Sequence, residues 1–311
     1  MTAVRDVLVL DSVFDDLTVE ADAARSVGWS ATRWDGSDAA LADASVVVHV
    51  RTRIDDGFLD RAPGLRVVGR FGTGLDTVDQ PAAARRGIAV VGVRDYCTPE
   101  LVAHTLALAF VLERRLDVAR ALRLEPSATW DEIGHTVGIV GRTRAAVIGF
   151  GAIGSAVTRA LLAAGWQVRV VTDHGGDEAR ALGAEPSELD PVLSWAQVVF
   201  LHAGLTERTR GLIDARRLAA MPAGSLLIDT ARLGLIDEAA VADAIAGGHL
   251  AGVALDARLD PGGPLARLGD DVRLVVTPHI GWYSERSARV LRQRTIIESI
   301  AAQPAANGGG A

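Results

Sequence analysis

The chain of 311 residues carries 32 basic against 39 acidic side chains, a net charge of −7, with 49% hydrophobic and 23% charged residues, the profile of a globular protein long enough for two domains. Net acidity argues against a nucleic-acid surface, and the single cysteine, Cys97, excludes an internal disulfide and a multi-cysteine zinc site. Every basic side chain is arginine, since the sequence contains no lysine, and this removes Schiff-base chemistry, pyridoxal phosphate attachment and a Walker-type phosphate lysine.

The opening MTAVRDVLVLD lacks the basic-then-apolar build of a signal peptide, and Asp, Arg or Gly interrupts each apolar run before membrane-spanning length. A cytoplasmic protein without membrane association is expected. Short apolar strands at Asp6 to Leu10, Ser45 to Val50, Arg66 to Arg70 and Ile88 to Val93 alternate with amphipathic stretches such as Leu17 to Arg25 and Val78 to Arg86. This alternation predicts a parallel sheet covered on both faces, a first α/β domain over residues 1–97. Inside it, Gly72-Thr73-Gly74 is a glycine-rich strand exit. It reads either as a plain turn or as a place where the Thr73 and Gly74 N–H groups hold an anion such as a carboxylate.

Thr98-Pro99-Glu100 reads as a helix start, with Thr98 as N-cap and the helix running to about Leu122. His104 within it is read as a packed or interface histidine, because its neighbours are aliphatic. Pro126 to Thr136 is polar and irregular, and Trp130 is expected to cover a surface there.

A second domain then opens with a strand ending in Val147-Ile148, the turn Gly149-Phe150-Gly151-Ala152-Ile153-Gly154, and a helix from Ser155 to Ala164. Strand, G-x-G-x-x-G turn and helix in that order form a dinucleotide site: Gly149 permits the turn, Gly151 lets phosphate approach the backbone, Gly154 lets helix and strand pack, and the helix N-terminus faces the pyrophosphate. Gln167 to Val171 is the next strand, and Asp173 beyond it stands where a carboxylate binds the adenosine ribose. Further strands at Val198 to Leu201, Ser225 to Ile228, Leu250 to Leu255 and Leu274 to Val276 exit into His202, Thr230-Ala231-Arg232, Asp256 and Thr277-Pro278-His279. In an open α/β sheet, ligands bind at the carboxyl ends of the strands, so these residues converge on one site. A final helix spans Ser284 to about Ala302, and residues 303–311 form a Gly/Ala/Pro-rich tail expected to be disordered.

The dinucleotide turn, Asp229-Thr230-Ala231-Arg232, Val253-Ala254-Leu255-Asp256 and Thr277-Pro278-His279-Ile280-Gly281-Trp282, with Gly72 to Asp76 and Tyr96-Cys97-Thr98, resemble the signature blocks of NAD-dependent D-isomer-specific 2-hydroxyacid dehydrogenases. The resemblance spans nearly the whole chain. It implies two doubly wound parallel-sheet domains: a Rossmann cofactor domain, residues 98–283, inserted into a flavodoxin-like substrate domain of residues 1–97 and 284–302, with a homodimer formed through the cofactor domains. It implies that Arg232 holds the substrate carboxylate, that His279 is the general acid/base, that Thr206 and Asp256 lie beside the cofactor, and that Trp282 lines the substrate side. An arginine and a histidine suit the reaction, because ketone reduction leaves negative charge on oxygen that a guanidinium stabilises and an imidazolium protonates.

Several residues depart from the pattern. Asp260-Pro261 stands one residue early for the usual Glu-Pro, making Asp260 the candidate carboxylate partner of His279. The ribose aspartate would fall on Thr172, and Asp173 is one place later. Gly204 replaces a proline between His202 and Thr206, which loosens that loop, and Leu233 replaces a glycine beside Arg232. A carboxylate at Asp173, with no arginine from Thr172 to Asp177, favours NAD over NADP. The leading expectation is a hydride-transferring enzyme acting on a small 2-hydroxy or 2-oxo acid. The alternatives are a dehydrogenase of another small anion, such as phosphite or formate, and a non-enzymatic, NAD(H)-sensing, corepressor-like protein.

Overall fold

The computed structural model describes residues 5–116, 118–119 and 143–304. The chain forms two compact units, Met1–Tyr96 with Ser284–Ala311, and Cys97–Tyr283.

In the first unit, β1 (Asp6–Val9), β2 (Ser30–Arg33), β3 (Val46–His49), β4 (Val67–Arg70) and β5 (Ala89–Gly92) pair in parallel in the order β2-β1-β3-β4-β5. This is a flavodoxin-like order. Helices α1 (Thr18–Ser26), α2 (Asp38–Asp43), α3 (Asp56–Asp60) and α4 (Gln80–Arg85) connect the strands. Ser37, Asp55 and Asp79 cap the last three with side-chain oxygens on backbone N–H groups. Strand β2, sequence SATR, is mostly exposed at the sheet edge. It lacks the apolar run that marks the other strands, and only its pairing with β1 reveals it.

The second unit begins with α5 (Thr98–Glu113). Here the structure corrects two expectations. Cys97, not Thr98, is the N-cap residue, and the helix ends at Glu113, with Arg115 in the left-handed region at φ 51°. Leu122, Trp130 and the stretch from Pro126 to Thr136 lie outside the described residues. There follow β6 (Arg144–Ile148), α6 (Ala152–Ala163), β7 (Gln167–Val171), α7 (Gly176–Leu182), β8 (Glu185–Pro186), α8 (Leu189–Trp195), β9 (Val198–Leu201), α9 (Ala215–Ala220), β10 (Ser225–Asp229), α10 (Glu238–Ala246), β11 (Leu250–Asp256) and β12 (Leu274–Thr277). The seven strands pair in parallel in the order β12-β11-β10-β9-β6-β7-β8. Numbered from β6, this is the dinucleotide-binding order with one added edge strand, and the order reverses between β6 and β9.

Successive residues along the central strands serve opposite faces of the sheet, as strand geometry requires. Ile148, Leu201, Leu227 and Leu255 join one core with Val192 and Leu218, while Val147, Phe200, Ile228 and Ala254 join the other with Leu108, Val157 and Leu161. Burial on both faces explains why these strands read as continuous apolar runs.

After Tyr283 the chain returns to the first unit as α11 (Glu285–Ala301), whose N-terminus is closed by a Ser284–Ser287 capping box. Arg292 on α11 donates to both carboxylate oxygens of Glu20 on α1, at 2.8 and 2.6 Å. Glu20 is fully buried, and the Arg292 guanidinium lies 4.5 Å from the Phe14 ring centroid. The sequence places the C-terminal helix, and this buried pair fixes where it packs.

Candidate active site

The glycine turn follows from backbone crowding. Gly149 has φ +99°, and a Cβ there would meet the Ala203 nitrogen at 2.6 Å; a Cβ on Gly154 would lie 1.9 Å from the Gly149 carbonyl oxygen. A side chain at either position therefore fits only if the backbone shifts. A Cβ on Gly151 meets nothing within 4 Å, so space is open where the backbone enters α6. The N–H groups of Ala152 and Ile153 in the first turn of that helix have no intrahelical acceptor and suit a phosphate. Asp173 is exposed two residues past β7, and the nearby Arg180 is paired with Asp177 at 2.8 Å. These residues fit a dinucleotide with an unphosphorylated ribose.

Across the strand-order reversal, His202 donates its backbone N–H to the Ile148 carbonyl at 2.8 Å. Burial pushes its pKa down to about 4, so the ring is neutral at physiological pH. In the loop that Gly204 was expected to loosen, Thr209 donates its hydroxyl to the Gly204 carbonyl at 2.6 Å and accepts the Thr206 N–H at 2.8 Å. A side chain five residues on closes what the missing proline would have stiffened.

Arg232 leaves β10 under the control of a buried acid. Asp229 Oδ1 accepts the N–H groups of Ala231 at 2.8 Å and Arg232 at 3.1 Å. Thr230 is buried with its hydroxyl 2.8 Å from that of Thr105 on α5, and Arg232 Nη1 donates to the Ala231 carbonyl at 2.8 Å. Burial pushes the Asp229 pKa up to about 7, against the two backbone N–H bonds and the Arg232 charge, with Asp256 adding to the rise.

His279 leaves β12 in the left-handed region, at φ 61°, a conformation a non-glycine residue keeps only when its surroundings hold it. Here the holder is Asp256, at the end of the neighbouring β11. Its Oδ1 accepts from the Thr277 hydroxyl at 2.7 Å and the Ile280 N–H at 2.8 Å, and its Oδ2 accepts the Gly281 N–H at 2.7 Å. A Cβ on Gly281 would meet Asp256 Oδ2 and His104 Cδ2, each at 2.9 Å, so only glycine lets the carboxylate reach in. His279 Nδ1 lies 3.2 Å from the Asp256 carbonyl oxygen, and Trp282 Nε1 donates to the His279 carbonyl at 3.2 Å. Asp256, read from sequence as a cofactor contact, thus has both carboxylate oxygens engaged in shaping the histidine loop. His104, read as a packed histidine, places Nε2 2.9 Å from the Thr277 hydroxyl and 3.7 Å from Asp256 Oδ1.

Among the described residues Asp260 makes no hydrogen bond or ion pair with His279. Its Oδ1 accepts the Gly262 N–H at 3.0 Å, and its carbonyl accepts the Gly263 N–H at 2.9 Å. The side chain folds back on its own turn, beside Glu238, whose pKa is raised by burial and then by Asp260. Sequence reading placed Thr277 among the strand-end residues without a role of its own, and gave none to Asp229 or Thr105. Their signal was faint: an acid or hydroxyl at a strand end gains meaning only once the neighbouring strand is known.

In the first unit, the Thr73 hydroxyl donates to the Val93 carbonyl at 2.8 Å, and Gly72 has φ +136°. The Asp11 carboxylate accepts the N–H groups of Val50, Arg51 and Thr52, fixing the loop after β3.

Residues 106–281 match the family described as D-isomer specific 2-hydroxyacid dehydrogenase, NAD binding domain. A D-3-phosphoglycerate dehydrogenase of Mycobacterium tuberculosis is 38% identical over 259 residues, 80% of this chain and 48% of the relative. The chain thus spans about half the length of the phosphoglycerate dehydrogenases it matches. An (S)-sulfolactate dehydrogenase of Chromohalobacter salexigens is 36% identical over 298 residues, 90% of this chain and 93% of the relative. A crystal structure of D-lactate dehydrogenase from Aquifex aeolicus, complexed with NAD and lactic acid, superposes with a TM-score of 0.86 at 23% identity, covering 93% of each chain, a likeness of fold. Among the described residues no helix is long and apolar enough to cross a membrane. With more than half of its 311 residues matched by the family's cofactor domain, and the glycine turn shaped to take the dinucleotide, the chain belongs to the NAD-dependent D-isomer-specific 2-hydroxyacid dehydrogenases.

Proposed function

We propose that the protein interconverts a small D-2-hydroxy acid and the corresponding 2-oxo acid, with Arg232 and His279 as the residues that meet the substrate. The observation that carries this reading is the way β10 and β12, on either side of β11, deliver a guanidinium and a strained, backbone-held histidine to one end of the sheet that also bears the glycine turn. Bound at that turn, NADH supplies the hydride and NAD⁺ accepts it. Arg232 pairs with the substrate carboxylate in a bidentate geometry that lysine cannot reproduce. As the carbonyl at C2 is reduced, His279 gives a proton to the oxygen that gains charge; in oxidation the neutral ring takes that proton back. The hydrogen-bonding distance from Nδ1 to the Asp256 carbonyl suits an N–H at that nitrogen, leaving Nε2 to exchange the proton.

A homodimer through the second unit is part of the proposal, supported by the exposed apolar side chains of Leu116, Val272 and Val276. NADH oxidation against a panel of 2-oxo acids tests the activity. Turnover of at least one member, lost by about 10²-fold or more in Arg232→Lys, is the expected result. NADH binding without turnover of any member would favour the cofactor-sensing alternative.

A further inference from the structure

Two strand-end carboxylates lie side by side in the second unit, and their surroundings differ. Asp256 on β11 has four polar partners: the Thr277 hydroxyl, the Ile280 and Gly281 N–H groups, and His104 at 3.7 Å. Asp229 on β10 is 2% exposed. Its Oδ1 takes the two N–H groups that lead into Arg232, while its Oδ2 is buried with no hydrogen-bond partner among the described residues. A buried carboxylate oxygen with no donor is unfavourable when charged, and more so beside a second anion that is already well solvated by the protein.

We propose that Asp229, in its neutral, protonated form, is a positioning residue that holds Arg232, and that ionising Asp229 weakens the grip of Arg232 on an anionic substrate. The proposal rests on the reading of Arg232 as the carboxylate-holding group. As a neutral acid, Asp229 still presents an acceptor to the Ala231 and Arg232 N–H groups, so the backbone entering Arg232 stays in place. Ionised, it sets a negative charge beside the guanidinium and offsets part of the attraction available to a bound carboxylate. The charged groups that act on it are Arg232 on its own strand exit and Asp256 on β11; His104 on α5 lies against Asp256, and His202 follows β9, the strand paired with β10. Of these, His202 is kept neutral by burial, and Asp256 and Arg232 act on Asp229 in opposite directions. The direction and size of the Asp229 shift, up to about 7, agree with a proton retained near neutral pH.

The test uses the full chain loaded with NADH, and its D229N and D229A variants. Oxalate, a small anion that hydride transfer does not consume, is titrated calorimetrically from about pH 6 to about pH 9, beside the KM, measured with NAD⁺ in place of NADH, for a 2-hydroxy acid that the protein oxidises. Wild-type affinity is expected to fall several-fold above neutrality. D229N, which mimics the neutral acid, should lose most of that fall, and D229A, which removes the acceptor, should bind weakly at every pH. Titration of His279 contributes equally to wild type and D229N and drops out of the comparison. Infrared difference spectra of wild type against D229N give a readout independent of substrate: a protonated-acid carbonyl band at low pH, absent from D229N. An unchanged pH dependence in D229N, or no such band, overturns the proposal. If neither oxalate nor any 2-hydroxy acid binds at any pH, the reading of Arg232 falls and takes the substrate-binding half with it; the infrared band then decides the protonation half.

Discussion

Replacing Gly154 with alanine separates the packing role of the glycine turn from its binding role. The added Cβ would fall 1.9 Å from the Gly149 carbonyl, where ordinary contact begins near 3.4 Å, so α6 must retreat by about 1.5 Å (3.4 − 1.9). Overpacking of this kind costs about 1–3 kcal/mol, at about 2–4 °C of Tm per kcal/mol for a unit of this size. The retreat carries the helix N-terminus away from the pyrophosphate. Losing one charge-assisted hydrogen bond there, at about 1.5–3 kcal/mol, weakens NADH by about 10- to 150-fold. Gly151→Ala is the control. Its backbone φ of −77° accepts alanine, and the new methyl meets no protein atom within 4 Å. Stability should fall by no more than about 1 kcal/mol, the scale of an N-cap change, while NADH binding still weakens because the methyl occupies the phosphate's space. Fluorescence titration of NADH and thermal melts of both variants measure the two effects. Wild-type NADH affinity in G151A, or a wild-type melting temperature in G154A, would refute the reasoning.

Two further outcomes follow from the site and the core. His49 and His202 are both held near a pKa of about 4, in each case by burial first, against about 6.5 in the unfolded chain. The unfolded chain therefore binds more protons between those values. The contribution of each is complete above about pH 6.5 and is lost as pH falls toward 4, at most about 3 kcal/mol apiece; denaturant melts of His202→Gln should lose part of this acid sensitivity in the second unit. For Asp260, whose carboxylate caps its own turn, D260N should lower kcat/KM by less than about tenfold. His279→Asn should lower it by about 10²–10⁴-fold, the range of general acid–base catalysis, and a comparable loss in both would restore Asp260 as the partner of His279.

Much of the architecture was legible from local pattern. Strands buried on both faces announce themselves as short apolar runs, and β7 and β9 begin and end where the pattern places them. The glycine turn could be found because backbone conformation restricts which residue types serve there, and Arg232 and His279 were offered by the resemblance of the blocks around them. The polar edge strand β2 escaped, since its only mark is its pairing with β1. The early end of α5 escaped because propensity continues past Glu113 while the backbone turns at Arg115.

Sequence by itself determined the two parallel sheets and the dinucleotide turn, because each depends on spacing along a few neighbouring residues, while Arg232 and His279 were offered for chemistry through the resemblance of the blocks that carry them. Tertiary structure alone decided how those residues are held. Parallel pairing sets Asp229 beside Leu255 and Asp256 beside Thr277, and from there one carboxylate captures the N–H groups before Arg232 while the other captures those after His279. It also turned Asp260 back on its own loop. Contacts between distant strand ends have no period to read along the chain; they exist only once the sheet has set its order.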